Sequence, residues 1–183
     1  MRRLGARERP TGVDLLTLII FGIGFGYVEA AVVTYLRALI KFHEHYSLSH
    51  YKVWLNLGFI AFVRPQHSIL LNRRIADIEV GREAMTILML ACVAYVASRV
   101  WSQRVGAFLI CFACWDISYY AWLRILDSWP QSLFTRDVFF LIPVTWIGPV
   151  LTPLIISIGL FVIGVVLYRD TSVWRSSRSF TRF

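Results

Sequence analysis

Between Leu15 and Leu36 the only charged residue is Glu29, and three further stretches of the chain are nearly as apolar. A helix needs about 20 residues of this kind to cross a bilayer. In hydrocarbon every backbone N–H and C=O has to be bonded within the protein, which leaves helices and closed barrels as the available forms. Apolar runs of helical length therefore predict an all-α, polytopic membrane bundle. Composition agrees, with 57% hydrophobic residues, 16% charged residues and a mean hydropathy of +0.62; a soluble domain carries about 25% charged residues. The length of 183 residues suits a single membrane domain, 1–183, and leaves little room for a second.

Four spans are expected at about 13–40, 76–99, 105–126 and 150–168. MRRLGARERP is basic, and the apolar run after it is too long for the core of a cleaved leader, so the first span reads as a retained signal anchor. Residues 41–75 form the long connection. Within it VWLNLGFIAFV (53–63) is too short to cross and is expected as an interfacial or re-entrant helix ended by Pro65. The second span is strongly apolar only from Ala84 to Ser98, which draws its start back to Ala76 and places Glu79 and Glu83 on one face at the boundary. Residues 128–149 carry Pro130, Pro143 and Pro149 and are expected as a proline-broken segment, a half-helix followed by a turn before the last span. The tail 169–183 is basic and aromatic, as suits a membrane surface. Lys and Arg are nearly balanced between the two sides; the weight of short loops and of the first helix favours cytoplasmic termini.

The net charge of +8 comes from residues flanking the apolar spans, so the partner it implies is anionic lipid and not nucleic acid. Cys92, Cys111 and Cys114 all fall inside apolar helices. Cys111 and Cys114 have C-x-x-C spacing without a second pair or a nearby histidine, which makes them packing residues before zinc ligands. Gly22, Gly26 and Ala30 recur every four residues and predict a helix-packing face. GIGFGY is not a nucleotide loop, because Tyr27 stands where the last glycine belongs and no strand precedes it.

Glu29 and Asp116 interrupt the first and third spans. A carboxylate at bilayer depth costs about 2.5–3.5 kcal/mol on insertion scales, so it is expected to face a partner, a cavity or another helix. Facing each other, the pair would bind a cation, a proton or a polar headgroup. The plainer reading is that each is hydrogen-bonded inside the bundle, with Tyr119 and Tyr120 one turn from Asp116 as its natural donors. Glu79, Glu83 and Asp137 lie near boundaries and are expected to pair with Arg82, Arg124 or Arg136; a di-metal bundle would add E-x-x-H pairs, which are absent. His43, His45 and His50 in FHEHYSLSHY are the candidate metal ligands, and the spans themselves hold no histidine for a haem or chlorophyll. A bound lipid is the one cofactor class the composition suggests.

WDISYYAWLRILDSWP, followed by DVFFLIPVTWIGPVLTP, concentrates aromatics, two aspartates and helix-breaking prolines. Together with the E-A-A motif inside Val28 to Ala31, this stretch resembles a pattern found in small multipass membrane proteins of bacteria. The resemblance covers the first span and residues 79–155. It implies a shared fold and placement in a bacterial inner membrane, multipass, and it brings no activity.

Two function classes remain. One is a non-catalytic subunit that packs against other integral membrane subunits and stabilises a larger complex. The other is a small membrane-embedded enzyme or an ion- or proton-coupled carrier with a site around Glu29, Asp116, Tyr119, Tyr120, Asp137 and Trp146. No nucleophile paired with a base stands out, so acyl or phosphoryl transfer has no positive support.

Overall fold

The computed structural model describes residues 14–40, 51–65 and 73–169. Four helices dominate: α1 (Leu15–Ile40), α2 (Arg73–Ala97), α3 (Trp101–Asp127) and α4 (Leu151–Arg169). All four are long and apolar enough to cross a membrane. Between α1 and α2 lie strands β1 (Tyr51–Asn56) and β2 (Ala61–Pro65); between α3 and α4 lie β3 (Arg136–Phe140) and β4 (Thr145–Pro149).

The strands correct the all-α expectation. The stretch 53–63 is not an interfacial or re-entrant helix but a β-hairpin, and the proline-rich stretch 128–149 contains a second hairpin in place of a half-helix. The two join through β2 and β4 into one antiparallel sheet of order β1-β2-β4-β3, with Phe62 opposite Trp146 and Val63 opposite Thr145. The reasons are local. Gly58 has φ +83°, a conformation that favours glycine, and the Asn56 side chain accepts from the Gly58 N–H at 2.9 Å. Leu57 N–H then donates to Ile60 C=O at 2.9 Å and closes the turn. Pro65 and Pro149 stand at strand ends, where a missing N–H costs the ladder little. A lone hairpin is marginal in water, so each of these depends on the other.

Helix α3 is the centre of the bundle. Gly22 of α1 lies against Cys111 and Cys114 and Gly26 lies against Trp115, Ser118 and Tyr119, so α1 runs parallel to α3. Gly164 of α4 lies against Gly106, and α4 runs antiparallel. Ala30 is fully buried. The glycine face is thus seated on α3, and Cys111 and Cys114 are its counter-surface. The main core joins Leu18, Leu90, Ala94, Ala107, Ile110, Cys111 and Trp115. Both α1 and α2 pack on α3 but hardly meet each other along their backbones.

These directions place the sheet at the end of the bundle where α1 and α3 finish and α2 and α4 begin. The first amides of α4 are capped by the chain before β3: Val150 N–H donates to Thr135 C=O at 3.0 Å and Leu151 N–H to Leu133 C=O at 2.8 Å. Thr152 Oγ1 donates to Phe59 C=O at 2.8 Å, tying α4 to the first hairpin.

Gly24 and Gly26 supply a paired test. A Cβ at Gly26 would strike the Ser118 hydroxyl and the backbone of α3, whereas one at Gly24 meets nothing within 4 Å. Gly26→Ala is expected to destabilise by about 1–3 kcal/mol through overpacking. Gly24→Ala is expected to be neutral or stabilising by up to about 1 kcal/mol. Thermal unfolding of the two variants in detergent measures the contrast.

Candidate functional site

Five carboxylates sit inside this apolar bundle or under its sheet, and each is held by a group from the surrounding structure. On α2, Glu79 and Arg82 are three apart and share a face: Arg82 Nε and Nη2 donate to Glu79 Oε2 at 2.8 and 2.6 Å. The third guanidinium nitrogen, Nη1, reaches across to Glu29 Oε1 on α1. One cation is therefore shared by two carboxylates, with Glu29, Glu79 and Arg82 all less than a quarter exposed at their side chains. Glu83, one residue on, uses both oxygens to accept from the Leu141 N–H, at 2.9 and 3.1 Å, which locks α2 to the end of β3.

Asp116 on α3 takes a hydrogen bond from the Ser157 hydroxyl of α4 at 2.7 Å. Asp137 on β3 takes one from the Tyr120 hydroxyl at 2.9 Å, both residues being buried. Arg37 at the end of α1 pairs with Asp127 at 2.9 Å and lies 4.0 Å over the Trp129 ring. Tyr119 packs edge-on against Tyr120 at 4.9 Å and stands within electrostatic reach of Glu29, Arg82, Asp137 and Arg37.

Glu29 and Asp116 consequently do not form a facing pair. The first turns to α2 and the second to α4, on different sides of α3, and no shared two-carboxylate cavity results. The expected tyrosine bond to Asp116 is also not the one made, because β3 brings Asp137 to the Tyr120 hydroxyl and Ser157 supplies Asp116. The Glu79–Arg82 pairing is present, but its extension to Glu29 and the role of Ser157 were missed. The i, i+3 spacing signals the first contact; nothing in the linear order places residue 82 beside residue 29. His43, His45 and His50 lie outside the described residues. Among the described residues no three of His, Cys, Asp and Glu converge closely enough to hold a metal ion.

Aromatic rings of α1, α3 and the sheet pack on one another. Trp115 contacts Phe25, Phe112 and Phe140 at 6.5, 5.2 and 6.3 Å between centroids. Trp146 contacts Phe62 and Phe140 at 5.1 and 6.0 Å. The indole N–H groups of Trp115 and Trp146 are both buried without an acceptor. No family model, curated protein or solved structure matches the chain.

Burial raises the Asp137 carboxyl from its ordinary 3.8 to about 6, against the lowering effects of Arg37, the Tyr120 hydroxyl and the Val138 backbone N–H. The unfolded chain loses this proton at lower pH than the folded one. The contribution of Asp137 to stability is therefore complete below about pH 4, falls as pH rises through about 6 and is flat above. Its size is at most about 3 kcal/mol. Asp137→Asn is expected to remove that slope, read as melting temperature against pH from 4 to 7.

For the shared guanidinium, Arg82→Met is expected to cost about 3–5 kcal/mol, because it strands two buried carboxylates. Adding Glu29→Gln and Glu79→Gln is expected to recover most of the loss. Unfolding midpoints of the single and triple variants check this.

Proposed function

We propose that this chain is a non-catalytic, multipass subunit of a bacterial inner-membrane complex, with both termini on the cytoplasmic side. The observation that carries the reading is the outer edge of the sheet. Val53, Trp54, Leu55, Leu57 and Phe59 are all exposed on β1 and its turn, Trp54 to 72%. Exposed apolar faces of the helices are covered by lipid tails. A strand edge is different: among the described residues nothing pairs with the outer side of β1, and backbone groups left so are excluded from hydrocarbon, so apolar side chains there call for a protein neighbour. The carboxylates support the same reading, since Glu29, Glu83, Asp116 and Asp137 each tie two elements together. The start of α1 and the end of α4 lie on the side away from the sheet, and the charge rule for short loops favours the cytoplasm for that side.

Gentle solubilisation and native electrophoresis test it. The chain is expected to co-migrate with an assembly several times its own mass of 21.1 kDa. Trp54→Asp combined with Leu57→Asp is expected to release it as a folded monomer of unchanged melting temperature. A wild-type chain that runs alone or as a dimer sinks the proposal.

A second reading, a small carrier or enzyme using intramembrane carboxylates, is favoured by one observation: Glu29, Glu79 and Glu83 outnumber Arg82, the cation they surround. Glu29→Gln with Asp116→Asn discriminates. Loss of a transport or growth phenotype with assembly intact supports the carrier, and retention of both removes it.

A further inference from the structure

Three features that the subunit reading does not use coincide at the seam between α1 and α2. First, the two helices are joined there by the Glu29–Arg82 contact and their backbones come close at few other positions. Second, the charges do not balance. Glu29 and Glu79 share the Arg82 guanidinium, while Glu83 has a backbone amide as its donor and lies close enough to Glu29 and Glu79 to feel both. With all four groups ionised the cluster carries excess negative charge, which a cation would neutralise. Third, Trp115, 7% exposed, and Trp146 each hold a buried indole N–H with no acceptor, and both rings meet Phe140. Buried donors are nearly always satisfied, so two orphans in one aromatic layer ask for an acceptor.

The aromatic layer and the acids adjoin. Glu29 lies one helical turn beyond Phe25, which packs on Trp115, and Glu83 binds the amide that follows Phe140. The carboxylates do not close to metal-ion distance, so the cation that fits is larger. An ammonium group suits both walls, by charge against the acids and by cation–π attraction over Trp and Phe faces. An oxygen acceptor beside it answers the indoles. Exposed apolar residues of α2, including Ile78 and Met85, lie within a turn of Arg82.

We propose that the α1–α2 seam, bordered by Glu29, Arg82 and Glu83 and floored by Trp115, Phe140 and Trp146, binds an amphiphile whose head pairs an ammonium with an oxygen acceptor, the chemistry of phosphoethanolamine. This site stands independently of whether the chain is a subunit.

The test uses the full chain in dodecyl maltoside, titrated with phosphatidylethanolamine and with phosphatidylglycerol, which keeps the phosphate and lacks the amine. Native mass spectrometry counts bound lipid and tryptophan fluorescence reports occupancy. The amine lipid is expected to bind about tenfold tighter, and Glu29→Gln and Glu83→Gln are each expected to cut that preference to below about threefold. Trp115→Phe, which keeps a ring and removes the N–H, is expected to weaken both lipids alike by about threefold. Glu83→Gln leaves the Arg82 pairs in place, so it decides alone if Glu29→Gln fails to fold. Equal affinity for the two lipids, or a preference untouched by Glu83→Gln, overturns the proposal. Excess soluble phosphoethanolamine separates the sources: displacement of the lipid upholds the site as one for a free headgroup, and lack of displacement upholds it with the tail as part of the ligand.

Discussion

The Arg82 guanidinium is the hinge on which the arrangement of α1 and α2 turns. Those helices come close at few backbone positions, and beside the core they share through Leu18 and Leu90 they are tied by one cation placed between Glu29 and Glu79. In a low-dielectric interior the attraction within such a group is strong, but so is the cost of desolvating it. What the cluster supplies is position more than net stability. A guanidinium has a planar fork of donors, and here separate nitrogens serve two carboxylates on two helices.

The same rule extends through the molecule. Glu79 is met by Arg82 of its own helix, and the other interior acids by partners from other elements: Ser157 for Asp116, Tyr120 for Asp137 and the Leu141 amide for Glu83. The polar ties thus run between α1 and α2, α3 and α4, α3 and β3, and α2 and the end of β3. Apolar packing on α3 is non-directional and tolerates sliding; the polar ties fix which residues face which. Close glycine contacts complete the specification, because Gly22 and Gly26 let α1 approach α3 at a single register.

The sheet accounts for much of what a span-by-span reading leaves obscure. It takes four strands of five or six residues, each too short to cross a membrane, and satisfies their backbones against each other. It also carries Asp137 to Tyr120 and the Leu141 amide to Glu83, so the polar interior depends on it. Its edge strand β1 leaves apolar side chains exposed, in contrast to the inner strand β2, where Val63 is fully buried.

Four helices long and apolar enough to span were legible in the residues, because hydrocarbon leaves a backbone few choices and the apolar runs are long. Glu29 and Asp116 as interior acids, the glycine face and the Glu79–Arg82 pair were legible for the same kind of local reason, being matters of depth and spacing along one helix. The hairpins were hidden: an eleven-residue apolar run has no periodicity that separates strand from helix, and Asn56 with Gly58 was the turn signal passed over. Which acid meets which partner lay beyond any local pattern. Residues 29 and 82, 116 and 157, or 120 and 137 become neighbours only when α3 is enclosed and the two hairpins join, so tertiary structure alone decided that Glu29 and Asp116 occupy separate sites and not one.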